Sequence, residues 1–464
     1  VRARATDAPA APKPTAAHRQ VLPSVEVISE RDDSVTLRFE ATERSSHGAR
    51  SVFVRVPDSG RIETELSDVP GLDATELVEI SEPAIMRDLR VVHVLFSPTP
   101  AGAETEDYAS SLTVTLRATD VPGINEKKET GRALSRAFHG LYKSTVINYD
   151  AEAALEALEA QARDGRDPLP FGASYLAISV YNYADEVAPL VEWKNAKGIQ
   201  SKLVTLSEIG STEAEIRSYI QTAYDTWEVP PEYVLLVGDT EQLPGYDSLT
   251  YTDNYYATVE GADYLADIIV GRISADTGFQ CATQVAKIFG YERTPLVGDP
   301  NWPMSGTLWI RDDHDSGDWI YYMNTWRIYD QMELAGFSPI DTLFAKNGVS
   351  RSQVYASVNE GKGFINYRGQ AWINWLSPFD LNAALTTNGW RLPVVVSGTC
   401  ATGNYEDDGF ICEDWMRAGT ATIPKGAVAF YATNTAFPGS EPLSLRRGYV
   451  DEGFFDSVFE TGSG

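Results

Sequence analysis

Leu392-Pro-Val-Val-Val-Ser-Gly-Thr-Cys400-Ala-Thr-Gly-Asn404 is the stretch from which the rest of the chain can be read. Its apolar, β-branched first half predicts a buried strand, and its second half is a turn of small residues. Cys400 falls where strand passes into turn. Gly398, Thr399, Ala401, Thr402 and Gly403 leave the sulfur uncrowded and the neighbouring amides open, as a thiolate attacking a carbonyl requires. A free Cys is more often a buried, inert core residue, so it is the position at a strand end that marks Cys400 as a candidate nucleophile. The chain has five His (His18, His47, His93, His139 and His314), and none lies in the segment just upstream of Cys400.

Working outward, the region from Tyr175 alternates strand-like and helix-like segments. Strands are predicted at Tyr175–Val180, Ser201–Leu206, Tyr233–Asp239, Asp267–Arg272, Gly363–Tyr367, Pro393–Ser397 and Ala427–Tyr431, with helices at Ala184–Lys197 and Thr212–Thr226. Such alternation implies an α/β fold with a largely parallel sheet flanked by helices. Sites in open sheets of this kind form beyond the carboxyl ends of strands, and Asp239, Arg368 to Gln370, and Cys400 all fall there.

The first part of the chain has a different period. Ser34–Glu40, Ser51–Val56, Val91–Phe96 and Ser111–Arg117 alternate apolar and polar residues between turn signals, which predicts a β-sandwich-like domain. The expected organisation is a flexible leader over 1–24, a β-rich domain over 25–120, a linker and helix over 121–170 and the α/β domain over 171–464. Lys127, Lys128, Arg132 and Arg136 make the linker the first place to look for proteolytic processing, although basic residues there also suit ordinary solvated surface.

Composition narrows the function. The 464 residues carry 38 Lys plus Arg against 66 Asp plus Glu, a net charge of -28, which disfavours nucleic acid and anionic membrane surfaces as partners. The apolar runs are too short for a membrane-spanning helix. Three Cys (Cys281, Cys400 and Cys412) without paired spacing provide neither a disulfide scaffold nor a zinc site. Cys281 and Cys412 read as packing residues, and a Cys400–Cys412 disulfide would silence the nucleophile.

Several fragments in order carry a family resemblance: Glu192-Trp-Lys194 with Lys197-Gly198, Leu235-Leu-Val-Gly-Asp239 with Leu243-Pro244, Ile269-Val-Gly-Arg272, Asn366-Tyr367 with Gly369, and Cys400 with Gly403-Asn404. Over about residues 170 to 460 the chain resembles the gingipain-type cysteine peptidases. The β-rich part resembles the propeptide-like domain that precedes the catalytic domain in that family. The resemblance implies a caspase-like fold, secretion or display at the cell surface, a zymogen stage, structural calcium, no organic cofactor, and a Cys–His dyad that cleaves polypeptides. It places Cys400 at the nucleophile and backbone N–H groups near Gly369 and Cys400 at the oxyanion hole.

One position departs from the pattern. Where the family reads Asn-Tyr-x-Gly-His, this chain reads Asn366-Tyr367-Arg368-Gly369-Gln370. A carboxamide cannot take the thiol proton near neutral pH as an imidazole can. Three readings follow: His314 supplies the missing group, favoured as an imidazolium by its acidic neighbours; Cys400 works without His, helped by turn amides, Arg368 and Gln370; or the chain is a pseudopeptidase that retains the cleft for binding a protein partner.

The acidic loop Arg311-Asp-Asp-His-Asp-Ser-Gly-Asp318 offers Asp312, Asp313, Asp315 and Asp318 as hard oxygen ligands for calcium, and Asp253 is a further candidate. Solvated acidic surface explains the same runs, and a metal-stabilised adhesion module is a third functional class. Glu406, Asp407, Asp408, Glu413 and Asp414 are expected to make the pocket rim negative, which favours basic or neutral substrate segments. Trp372 and Trp375 are candidate walls of the cleft.

Overall fold

The computed structural model describes residues 22–459, apart from 47, 101–107, 129–131, 133, 164–170, 248–250, 294–300, 313–316, 407–408 and 435–440. Two compact units emerge, one made of Ala17–Phe171 with Tyr256–Ile269, the other of Gly172–Tyr255 with Val270–Thr461.

The first unit is a sandwich. Its strands are β1 (Ser24–Arg31), β2 (Ser34–Glu40), β3 (Arg50–Arg55), β4 (Ile62–Leu66), β5 (Val78–Ile80), β6 (Ala84–Met86), β7 (Leu89–Phe96) and β8 (Ser111–Ala118). One sheet runs β1-β2-β8-β4; the other runs β3-β7-β5, with β6 paired to β7. The alternating residues anticipated from sequence fill a common core: Val35, Leu37 and Phe39 of β2, Val52 and Val54 of β3, Val92, Val94 and Phe96 of β7, and Leu112, Val114 and Leu116 of β8. Strand β7 is apolar on both faces because a second cluster, with Phe138, Tyr142 and Val146, covers Leu89 and Val91. The helix Arg136–Thr145 supplies Phe138 and Tyr142.

This unit also takes in Tyr256–Ile269, a segment far along the sequence. Asp267 holds it there, accepting from the backbone N–H groups of Arg87 (2.9 Å), Val259 (2.8 Å) and Glu260 (2.8 Å). Burial nevertheless pushes the Asp267 carboxyl up to about 7.

The second unit holds two parallel sheets where the sequence predicts one. The first contains β9 (Tyr175–Ser179), β10 (Ser201–Thr205), β11 (Tyr233–Val237) and β14 (Ile269–Ile273) in the order β10-β9-β11-β14; β12 (Tyr246–Asp247) and β13 (Tyr251–Thr252) form a small ribbon. The second contains β15 (Gly306–Arg311), β16 (Ile340–Phe344), β17 (Phe364–Gly369), β18 (Val394–Ser397) and β19 (Ala429–Ala432) in the order β16-β15-β17-β18-β19. Helices form where predicted. The helix Glu213–Thr226 begins at Thr212, whose hydroxyl accepts from the Glu215 N–H while the Glu215 carboxylate accepts from the Thr212 N–H, a reciprocal cap.

Both faces of the second sheet are covered. One face carries a slab of aromatic residues: Trp375 lies 5.3 Å from Trp309, 5.2 Å from Tyr367 and 5.5 Å from Trp415, ring centre to ring centre. The other packs Leu308 and Val396 against Ile328, Met332 and Phe455, from the helices Trp319–Leu334 and Glu441–Phe459. The chain leaves β15 toward β16 on one side and returns to β17 on the other. The carboxyl ends of β15 and β17 therefore border the place where the strand order reverses, the position at which open α/β sheets form their sites, and β18 lies beside β17.

Candidate active site

Strands β17 and β18 run parallel with Tyr367 beside Ser397, so the turns that follow them are neighbours. The Thr399 hydroxyl donates to the Gly369 carbonyl and ties the two strand ends together. Gly369 has φ +145, and a Cβ there would lie 2.3 Å from the Arg311 carbonyl oxygen, so only glycine fits. Gly398 is equally constrained: a Cβ would lie 2.9 Å from both the Arg368 guanidinium and the Asp451 carboxyl carbon.

Cys400 follows immediately, half-buried. Ala401, the next residue, adopts φ +47, a left-handed conformation that costs a non-glycine residue about 1 kcal/mol or more. Its carbonyl accepts from the Asn404 N–H at 3.1 Å, and the Gly403 N–H donates to the Thr433 carbonyl at 2.9 Å. The Thr433 hydroxyl in turn donates to the Thr399 carbonyl. From below, the Trp375 indole donates to Ser397 Oγ at 3.0 Å, and Ser397 Oγ lies 2.9 Å from Thr402 Oγ1. The cysteine thus sits on a sharp turn locked at both ends.

The sulfur has a partner that sequence reading missed. Arg447 Nη1 donates to Cys400 Sγ at 2.8 Å. Arg447 is 9% exposed and lies on the helix Glu441–Phe459, 47 residues after Cys400. Only the return of that helix under the sheet brings it to the turn that carries Cys400. Asp451, four residues later and so on the same helix face, is buried beneath Gly398; its two oxygens accept from Asn366 Nδ2 at 3.0 and 2.8 Å. Burial pushes the Asp451 carboxyl up to about 7, against the pull of Arg368.

Arg368 does not approach Cys400 as the sequence reading expects. Its alternation along β17 turns it into the interior, where it is fully buried; Nη2 donates to Asn324 Oδ1 at 3.0 Å and Nε lies 3.9 Å from Asp451. Gln370 is exposed, and its carbonyl accepts from the Tyr367 hydroxyl at 2.7 Å. Trp372 is 60% exposed, as a cleft wall would be, but Trp375 is 1% exposed and belongs to the core.

The other cysteines behave as packing residues. Burial pushes the Cys281 thiol up to about 12 and raises that of Cys412, whose S–H donates to the Asn404 carbonyl at 3.0 Å. All three cysteines are free, so the Cys400–Cys412 disulfide does not form.

Glu413 leaves the rim for the interior. It accepts from Arg417 Nη2 at 2.7 Å and from the Ser274 hydroxyl, and Arg417 also pairs with Asp239 at 2.8 Å and Asp276 at 2.9 Å. The strand-end Asp239 is therefore part of a largely buried ionic cluster that anchors the helix Ile411–Arg417. Burial pushes Glu413 up to about 8; the hydrogen bond with Asp239, then burial, push Asp276 up to about 6.

Three of the candidate calcium ligands, Asp253, Asp312 and Asp318, are among the described residues. Asp253 is clamped by Arg272, with Nη2–Oδ1 at 2.7 Å and Nε–Oδ2 at 2.8 Å, so both oxygens already face a cation. Asp312 is buried and accepts from the Lys346 N–H at 3.1 Å, while Asp318 begins the helix Trp319–Leu334. Asp313, His314 and Asp315 lie outside the described residues. Among the described residues no three acids, His or Cys come together to hold a metal ion.

Comparison with known proteins agrees with this architecture. The family model described as peptidase family C25 matches residues 169–463, and the chain belongs to that family, the gingipain-type cysteine peptidases. Gingipain R2 of Porphyromonas gingivalis is 24% identical over 386 residues, which is 79% of this chain and 50% of the relative. Gingipain R1 of the same organism is also 24% identical over 386 residues, with 37% of its length matched. The chain thus spans half or less of these relatives. The crystal structure of the Arg-specific cysteine proteinase gingipain R (RgpB) superposes with TM-score 0.54 at 21% identity, covering 64% of this chain and 75% of that one. A complex of the pro- and mature domains of RgpB gives TM-score 0.54 at 20% identity, covering 62% and 73%. The likeness in structure establishes the caspase-like fold. Among the described residues no helix is long and apolar enough to cross a membrane.

Proposed function

We propose that this protein is a cysteine peptidase that attacks peptide bonds through Cys400, acting outside the cell and produced with the sandwich unit as a propeptide-like partner. The observation that carries this reading is the half-buried Cys400 on a strained turn at the end of β18, beside the end of β17 and within reach of a guanidinium. The match to peptidase family C25 supplies the reaction class. Backbone N–H groups near Gly369 and Cys400 serve as oxyanion donors in this reading, and the exposed Gln370 contacts the substrate backbone. The test is hydrolysis of a mixed peptide library by the wild-type chain and by Cys400→Ala. Cleavage that disappears in the variant supports the reading.

Gln370 favours a second reading, in which the cleft binds a polypeptide without cutting it. Equal binding of library peptides by the wild-type chain and by Cys400→Ala, with no products released by either, would establish it.

A further inference from the structure

Gln370 removes the family's proton acceptor, yet the sulfur is not left among apolar groups. The described histidines, His93 and His139, both belong to the sandwich unit, and among the described residues of the α/β unit Arg447 reaches Cys400, 2.8 Å away. A guanidinium does not take a proton from a thiol, because it is already fully protonated near neutral pH. It can stabilise the anion once the proton has left.

The placement of Arg447 is built rather than incidental. Its helix is seated by three buried side chains within the next two turns, Asp451, Glu452 and Phe455. Glu452 accepts from Arg327 at 2.7 Å and also from Asn324. Gly448, directly after Arg447, leaves no room for a Cβ, which would lie 2.3 Å from the Asn324 side-chain oxygen. The helix can therefore neither slide nor rotate without displacing a buried ionic contact.

Resting on the peptidase reading above, we propose that Arg447 is a catalytic residue, the permanent cation that holds Cys400 as a thiolate in place of an imidazolium. The thiol proton goes to water before substrate binds. The sulfur lone pair then forms the C–S bond while the carbonyl π pair moves to oxygen. As the intermediate collapses, the C–N bond breaks and the departing nitrogen takes its proton from water. The hydroxide so formed attacks the thioester, releasing the acid and restoring the thiolate.

Among the described residues, the charged and titratable groups near this pair include Arg368 on β17, Tyr321 and Arg327 on the helix Trp319–Leu334, Tyr431 on β19, and Asp451 and Glu452 on the helix of Arg447 itself. Among them Asp451 and Glu452 are held toward their neutral forms, by burial first, despite the cations beside them.

The experiment is alkylation of the full chain by iodoacetamide across pH, with the labelled residue identified by mass, in wild type, Cys400→Ala, Arg447→Lys and Arg447→Met. The expected wild-type rate at about pH 6 is well above that of an ordinary thiol, whose midpoint of about 8.5 leaves it almost unreactive there. Arg447→Lys keeps most of that rate, and Arg447→Met lowers it on the order of 10-fold to 100-fold at the same pH. An ordinary thiol profile in the wild type overturns the proposal, and so does an unchanged profile in a folded Arg447→Met. If Arg447→Met does not fold, Arg447→Gln, which keeps a donor without the charge, decides by the same criterion. Early labelling without peptide cleavage would refute the peptidase reading and leave the Arg447–thiolate pair standing. Cleavage by a protein whose Cys400 labels as an ordinary thiol would do the reverse.

Discussion

Arg417 and Arg447 lie on two helices that follow Cys400, both largely withdrawn from solvent, and they have different partners. Arg417 faces Asp239, Asp276 and Glu413, three carboxylates from three segments of the chain. Arg447 faces a sulfur. A guanidinium among acids has its charge matched in the resting fold and acts as a staple. One that donates to a thiol can also stabilise the thiolate, so part of its contribution appears in reactivity. The same side chain is thus structural in one setting and chemical in the other.

The contrast is broken most directly by removing each charge. Arg417→Met leaves three acids without their cation, Asp239 and Glu413 among them buried, and a loss of about 3–5 kcal/mol in unfolding free energy is expected from urea melts. A loss below about 1 kcal/mol would mean that the cluster is already neutralised by protons.

Glu413→Gln sharpens the comparison by titration. The Glu413 carboxyl is pushed up from 4.5 to about 8 by burial, so the folded state binds its proton more tightly than the unfolded one. Its contribution is fully present below the unfolded value and is lost as pH rises toward about 8. Stability of the wild type should therefore fall across that window relative to Glu413→Gln. Parallel pH profiles for the two proteins would show that Glu413 ionises normally.

Arg447→Met has the smallest expected effect on stability, about 1 kcal/mol, because the thiol left behind can stay protonated and neutral. A melt as damaged as that of Arg417→Met would place Arg447 among the staples after all.

Much of this fold was legible in the sequence. The sandwich strands alternate because one face of each sheet meets the shared core, and Val394 to Val396 announce a buried parallel strand by being β-branched without interruption. The position of Cys400 just past a strand end was legible for the same reason, since the run of small residues marks where that strand stops. Arg447 was not, because the helix that delivers it crosses beneath the sheet, and no spacing rule links residues 47 positions apart. Arg368 was misplaced because its proximity to Gln370 in sequence suggested the site, whereas strand alternation sends it into the core. Glu413 looked like rim charge beside Glu406. Arg417, one turn on in its own helix, and Ser274 from a distant segment make its burial tolerable, and that arrangement is tertiary.

The most direct test of Cys400 as a peptidase nucleophile is the intact mass of the protein after reaction with a peptidyl chloromethyl ketone, followed by mapping of the adduct. The account predicts one adduct per chain on Cys400, none on Cys281 or Cys412, and no reaction in Cys400→Ala. A Cys400 that reacts with iodoacetamide yet forms no adduct with any peptidyl reagent would contradict it, leaving a reactive thiol without a substrate cleft.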